Sequence, residues 1–379
     1  MRAIIPIEDS ALHAVRSFLK QLLDANIVDA LLVPMETSAG TVTPALVSDP
    51  ALLGHANPLA PVMGLNAARG AAWCTAPGDT SNSSSRRRIG AVLRPCELRA
   101  LVELVKLKQA SLDDVVTIGL DCLGTYDVPV FAAMQAGGGA DMSALLASAK
   151  EGNLSPQEGY QFRDACQMCE RPQVEQADIV LELFGADLTG GIPVTLPDEM
   201  AAKIGAGTDV GAEHENVQRA DAIEKIVAAR TQVRDARYAD MRQQLDQETV
   251  EGVMAACVRC HNCMTVCPIC YCKTCLFKSP VFDHEPEKYL NWAQHKGAYR
   301  LPADTMLFHL TRLNHMVLSC IGCGMCTSGC PAELPVGLVF RTIGQQVQTA
   351  FDYLPGRDVE EPLPMLTFRE EEWAEVEGS

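Results

Sequence analysis

Two copies of one cysteine pattern constrain this chain more than any other feature. Cys257, Cys260, Cys263 and Cys267, followed by Pro268, spell C-x2-C-x2-C-x3-C-P, and Cys320, Cys323, Cys326 and Cys330, followed by Pro331, spell it again. Two-residue gaps let a tight loop set three sulfurs on three corners of an iron–sulfur cube, with backbone N–H groups toward the inorganic sulfides. The Pro then turns the chain away, and the fourth thiolate crosses to the other cube. The spacing predicts one 4Fe–4S cluster on Cys257, Cys260, Cys263 and Cys330, and a second on Cys320, Cys323, Cys326 and Cys267. Zinc also takes four thiolates, but its motifs pair two ligands, leave a spacer and pair two more. A triplet plus one, repeated, does not fit that scheme.

Eleven of the sixteen cysteines lie between Cys257 and Cys330. In a long chain whose start, Met1 to Ser10, lacks the basic and apolar regions of a secretory signal, such crowding points to metal ligation in a reducing cytoplasm rather than to disulfides. Cys270, Cys272 and Cys275 extend the first run. Three thiolates complete no four-ligand site alone; they would need a distant fourth such as Cys74, or would be buried small side chains, and both readings stay open. The two loops also differ. Gly322 and Gly324 flank Cys323, whereas Arg259, His261 and Asn262 surround Cys260. Positive charge near a cluster favours its reduced form, so Arg259 and His261 are expected to give the first cluster the higher potential.

The first 200 residues alternate between strand and helix patterns. Asp9 or Ser10 can cap a helix with Leu12, Val15, Leu19, Leu22 and Leu23 inward, Asn26 stops it, and Val28 to Val33 reads as a strand. Ile89–Leu93, Glu97–Lys108 and Val115–Leu120 then read as strand, helix and strand, a parallel crossover. Ile179 to Leu183 reads as one more strand. Cys96 and Cys122 follow two of these strands, so in a parallel sheet both emerge at the carboxyl edge, where open α/β sheets bind ligands. Cys166 and Cys169 form a C-x2-C pair before another strand. Together these four could hold a further cluster or could be buried thiols, which are common in cores.

Between Gly211 and Gly252 there is neither Gly nor Pro, and the run Asn216 to Thr249 has helix-forming composition with an interrupted stripe of Ile223, Val227, Tyr238, Met241 and Leu245. The expected organisation is an α/β domain with parallel crossover units over 1–200, a helical linker over 201–250, a ferredoxin-like helical domain with two 4Fe–4S clusters over 251–350, and an acidic tail over 351–379. The formal charge of −17 disfavours nucleic acid and anionic lipid as partners, and no apolar stretch reaches the length of a bilayer span. Arg86, Arg87 and Arg88 sit in a Ser-rich stretch, 78–88, read as a solvated loop, with contact to a phosphate-bearing cofactor or an acidic partner as the alternative. His309 and His315, six residues apart, share no helix face well and read as structural or surface residues. No activated nucleophile and no carboxylate pair is nominated for bond-making.

Three segments resemble one family. Leu93-Arg94-Pro95-Cys96-Glu97-Leu98-Arg99-Ala100-Leu101 resembles the Gly-Thr-Pro-Cys segment of the coenzyme F-420 hydrogenase/dehydrogenase β-subunit family, with Arg94-Pro95 in place of Gly-Thr-Pro. Ile118-Gly119-Leu120-Asp121-Cys122 resembles its next cysteine segment. Cys166-x2-Cys169 followed by Ala177-Asp178-Ile179 is similar to its C-x2-C…A-D-I segment. With the fused two-cluster part the resemblance covers most of the chain, and it is strongest to formate dehydrogenase β-subunits, which carry a similar C-P-x-C-Y-C run. It implies that Cys96, Cys122, Cys166 and Cys169 hold a proximal 4Fe–4S cluster, that FAD binds beside it, and that hydride is exchanged with coenzyme F-420 or a similar carrier. No G-x-G-x-x-G follows a strand, so the NAD fingerprint is missing. The resulting expectation is an electron-transfer subunit of a multi-subunit redox complex. Its partner would be a formate dehydrogenase, hydrogenase or heterodisulfide-reductase-type subunit. The alternatives are a self-sufficient F-420 or NAD(P)H oxidoreductase, and a structural adaptor stapled by its metals.

Overall fold

A computed structural model describes residues 1–76, 87–205 and 212–366. The chain divides into two compact units. The first comprises residues 1–235, 321–323 and 355–379, and the second residues 236–320 and 324–354.

In the first unit the order is β1 (Arg2–Ile5), α1 (Ala11–Asp24), β2 (Ala30–Glu36), β3 (Val42–Val47), α2 (Ala68–Thr75), β4 (Ile89–Leu93), α3 (Pro95–Lys106) and β5 (Val115–Leu120). There follow α4 (Val128–Ala136), α5 (Met142–Glu151), α6 (Asp164–Gln167), β6 (Ile179–Leu181), β7 (Ile192–Thr195) and α7 (Asp198–Ile204). The strands form one mixed sheet in the order β1-β7-β6-β5-β4-β2-β3. Its centre, β2, β4, β5 and β6, is parallel, and β1, β7 and β3 are antiparallel to their neighbours.

Helix α1 shows why the local sequence folds as it does. Ser10 Oγ accepts from the His13 N–H at 3.2 Å, a cap worth about 1 kcal/mol. Phe18, Leu19 and Leu22 are at most 1% exposed, and burying each contributes roughly 1.5–3 kcal/mol. Asn26 then takes a left-handed φ of 51°, and the Ile27 N–H closes on Leu22 O, which ends the helix. The strand expected from residue 28 begins at Ala30, and the helix expected from Glu97 begins two residues earlier with Pro95 at its first position, where a missing N–H costs nothing.

The long helix α8 (Ala212–Val253) is interrupted at Thr249, whose φ of 61° is not helical. The division between units falls within it, after Asp235. Ala222, Ile226 and Arg230 are buried in the first unit and Tyr238 and Met241 in the second. The buried stripe in the first unit therefore runs one residue before the expected Ile223 and Val227, which are half-buried. Gly185 permits this packing: at φ +66° its Cα faces the helix backbone at Arg219, where a Cβ would come within 2.6 Å.

The second unit is helical, with α9 (Asn262–Thr265), α10 (Pro286–Lys296), α11 (Thr305–Met316), α12 (Met325–Ser328) and α13 (Val336–Ala350). Phe308, Val336, Val339 and Phe340 form its interior. Gln348 Nε2 donates to the carbonyls of Val317, Leu318 and Cys320, at 2.8, 3.1 and 3.1 Å, and so ties α13 to the approach of the second cysteine motif.

Of the Ser-rich stretch, residues 78–86 and hence Arg86 lie outside the described residues. Arg87 and Arg88 are exposed, and the Arg88 N–H donates to Asp29 at 2.7 Å. Residues 367–379 of the acidic tail also lie outside. No helix among the described residues is long and apolar enough to cross a membrane.

Candidate functional site: two thiol-lined cavities

None of the sixteen cysteines forms a disulfide. In the first unit β4 and β5 are parallel neighbours in the register Leu93↔Gly119, so the chain leaves both at the same carboxyl edge. Cys96 sits in the first turn of α3, and Cys122 follows β5. Glu97, 2% exposed, shapes the turn by accepting from the N–H groups of Arg94 at 2.8 Å and Ala67 at 2.9 Å. Asp121, 1% exposed, accepts from the N–H groups of Val174, Leu183 and Phe184 and from the Arg219 guanidinium. This buried carboxylate fixes the segments before and after Cys122, and removing a buried charge partner of this kind costs several kcal/mol.

Cys96, Cys122, Cys166 and Cys169 line one cavity, and Cys323 lines it too. Thr125 Oγ1 lies 3.1 Å from Cys166 Sγ. Burial pushes the Cys96 and Cys169 thiols up, and the Cys122 thiol up to about 11. The walls are cationic. Arg94, Arg99, Arg163 and Arg230 are each at most 8% exposed and line the same cavity. Arg94 donates to Ala60 O at 2.7 Å, Arg99 to Ile321 O at 3.0 Å, and Arg163 to Cys323 O at 2.9 Å. Glu97 lies 3.9 Å from Arg94 and Asp127 3.6 Å from Arg163, which offsets part of this charge, while Arg99 Nε and Arg230 Nη2 are buried without a partner. An anionic tetrathiolate cluster suits the field that remains.

In the second unit Cys257, Cys260, Cys263 and Cys330 line a second cavity, together with Arg259, His261, Phe308 and His309. Two N–H groups and one imidazole face its sulfurs. Arg259 N donates to Cys257 Sγ at 3.3 Å, Arg312 Nη1 donates to Cys263 Sγ at 3.1 Å, and His309 Nε2 lies 3.2 Å from Cys257 Sγ. Burial, then Arg312 and Arg300, hold the His309 imidazole down at about 4, so it is neutral at physiological pH. His309 is thus no surface residue: it is 3% exposed and faces a sulfur, while His315 is exposed. The partner to consider with His309 was Arg312, one helical turn on, not His315. The Arg259 guanidinium is paired with Asp304, which offsets the charge expected to act on the first cluster.

Cys267, Cys270 and Cys326 share the surroundings of Arg312 with Cys263. Cys275 Sγ lies 3.7 Å from Met264 Sδ, and Cys272 and Cys74 are exposed. Among the described residues no three His, Cys, Asp or Glu side chains converge as one metal ion needs. Thiolates on one zinc ion sit about 2.3 Å from a common centre; those on a cube stand at separate corners, around a space. Five cysteines stand around the first cavity and four around the second.

Residues 253–334 match the family of 4Fe-4S dicluster domains. The chain is 24% identical over 307 residues to the "F420-dependent formate dehydrogenase subunit beta" of Methanocaldococcus jannaschii, covering 74% of this chain and 76% of that one. It is 27% identical over 383 residues to the "F420-dependent formate dehydrogenase 1 subunit beta" of Methanococcus maripaludis, covering 92% of each. Among solved structures, a chain of the F420-reducing [NiFe] hydrogenase complex of Methanosarcina barkeri aligns with a TM-score of 0.40 and 11% identity, over 63% of this chain and 91% of that one.

Proposed function

We propose, from its kinship with the β-subunits of F420-dependent formate dehydrogenases, that this chain is the iron–sulfur electron-transfer subunit of a cytoplasmic multi-subunit redox complex. The observation that carries this reading is the pair of thiol-lined cavities, one with five cysteines and one with four, each with cations in its walls, in a chain whose residues 253–334 match a 4Fe-4S dicluster domain.

The assignment is of three clusters. Cys257, Cys260, Cys263 and Cys330 would hold one, and Cys320, Cys323, Cys326 and Cys267 a second, on motif spacing. Cys96, Cys122, Cys166 and Cys169 would hold a proximal third, supported by their shared cavity and by the family resemblance. When bound, such cubes take and give one electron at a time. The protein supplies the cages. Backbone and side-chain N–H groups donate to the thiolates and stabilise added negative charge, and buried arginines raise the local potential in a medium where charge is poorly screened.

Flavin, implied by the family, would join one-electron cubes to a two-electron carrier such as coenzyme F-420. Among the described residues no glycine-rich strand-to-helix turn of the kind that seats a dinucleotide follows a parallel strand, so no residue is assigned to it. The catalytic partner would be a formate dehydrogenase subunit, with a hydrogenase or a heterodisulfide-reductase-type subunit as the other candidates.

Anaerobically purified protein tests the reading. Its broad visible absorption should bleach with dithionite and return on adding a one-electron acceptor. Absorption that does not bleach, or a colourless protein, would instead favour a structural adaptor.

A further inference from the structure

Arg312 is a buried cation without an ordinary counter-ion. It lies in α11 and is 4% exposed. Its Nη1 donates to Cys263 Sγ and its Nη2 to Cys263 O, both at 3.1 Å. Its guanidinium lies 5.5 Å from the centre of the Phe308 ring and 5.0 Å from that of Phe340. Among the described residues it forms no ion pair with a carboxylate, and its Nε is buried without a partner. A buried charge persists only where something compensates it.

Groups able to become anionic that act on it include the thiols of Cys263, which it touches, and of Cys267, Cys326 and Cys270. Protonated thiols offer that cation little, whereas thiolates on iron offer it full charges. Three of the four belong by motif to the two dicluster cages: Cys263 to one, Cys267 and Cys326 to the other. An electron added to either cage places negative charge close to a guanidinium that stays protonated at any working pH.

We propose that Arg312 is the shared counter-ion of the two dicluster cages, holding both clusters at a higher reduction potential than their thiolates alone would give. This rests on the dicluster assignment above. One side chain then couples the two cages: any change in its charge moves both potentials in the same direction.

The test is an EPR-monitored redox titration of the full chain, purified anaerobically, as wild type, Arg312→Lys, Arg312→Met and Arg312→Gln. The neutral variants should shift the equilibrium of both clusters at least tenfold toward the oxidised form, which for one electron is about 59 mV per tenfold. The Lys variant keeps the charge and should stay within a few-fold of wild type. If the neutral variants fail to load iron while Lys loads normally, the need for charge is supported by assembly instead. Neutral variants with wild-type iron and unmoved potentials would overturn the proposal, as would failure of the Lys variant alongside the others, because packing would then be the requirement. Wild-type protein without iron would defeat the dicluster assignment itself, which is a separate outcome.

Discussion

The two cysteine loops have one backbone and two chemistries. On either side of the central cysteine both take left-handed conformations: Gly322 at φ 76° and Gly324 at 70° around Cys323, Arg259 at 54° and His261 at 63° around Cys260. Each then enters a four-residue helix, α12 or α9. A conformation repeated with such different side chains is set by the spacing of the thiols rather than by local preference. Glycine adopts it freely; an L-residue with a side chain gives up roughly 1–2 kcal/mol. In the first loop that cost is offset by contacts, since Arg259 pairs with Asp304 and the His261 ring lies 4.7 Å from the Phe308 ring. The glycine loop is unstrained and bare, and the other is strained and walled by its own side chains.

The largest expected effect tests whether the fourth thiol crosses between motifs. Cys330→Ala should remove the cluster of the first loop and lower the iron content by about four per chain, while Cys267→Ala should remove that of the second. If Cys330→Ala abolishes the second-loop EPR signal instead, the crossed assignment is wrong.

Next in size is the strain contrast. Gly322→Val should destabilise the protein by at least about 1–2 kcal/mol, because a β-branched residue is forced to a φ that only glycine takes freely. Arg259→Gly relieves strain but loses its partner, and should change the thermal midpoint little. Equal losses for the two substitutions, measured by thermal unfolding of the loaded protein, would break the comparison.

A smaller effect is expected from His309→Ala, which removes the imidazole beside Cys257. In the tautomer with the proton on Nε2 the ring donates to the Cys257 sulfur, and losing this bond, about 1 kcal/mol to the reduced form, should lower the first cluster's potential and leave the second's in place. The smallest comes from Asp304→Asn. It releases the Arg259 charge and should raise the first cluster's potential by a few-fold in equilibrium constant, because the Arg259 side chain is partly exposed and screened. A fall in potential would show that Asp304 acts otherwise than as the partner of Arg259.

The residues readable in the sequence are those whose signal is local. Ile89–Leu93 and Val115–Leu120 are apolar runs, the second broken only by Thr117, and both are strands with the expected limits. Strands β3 and β7 are illegible for a physical reason: each carries a proline, Pro44 and Pro193, which speaks against a strand; β3 lies at the sheet edge, where a proline is tolerated, but β7 lies between β1 and β6. Strand β1 is four residues long and offers no pattern. At the site the thiols declared themselves through spacing, whereas the cations did not. Arg94 and Arg99 flank Cys96 in one segment, but Arg163 and Arg230 come from others that only the fold brings to the same cavity. Arg312 left a fainter trace. It continues the stripe Thr305, Phe308, His309, Met316 on the buried face of α11, and a cation on a buried stripe asks for a partner. The partner lies about fifty residues away, in Cys263.

The central claim is that these thiols cage iron and sulfide for carrying electrons. Measuring iron, acid-labile sulfide and zinc in anaerobically purified full-length protein tests it most directly. Roughly twelve iron and as many sulfide per chain are expected for three cubes; stoichiometric zinc with no sulfide would contradict it.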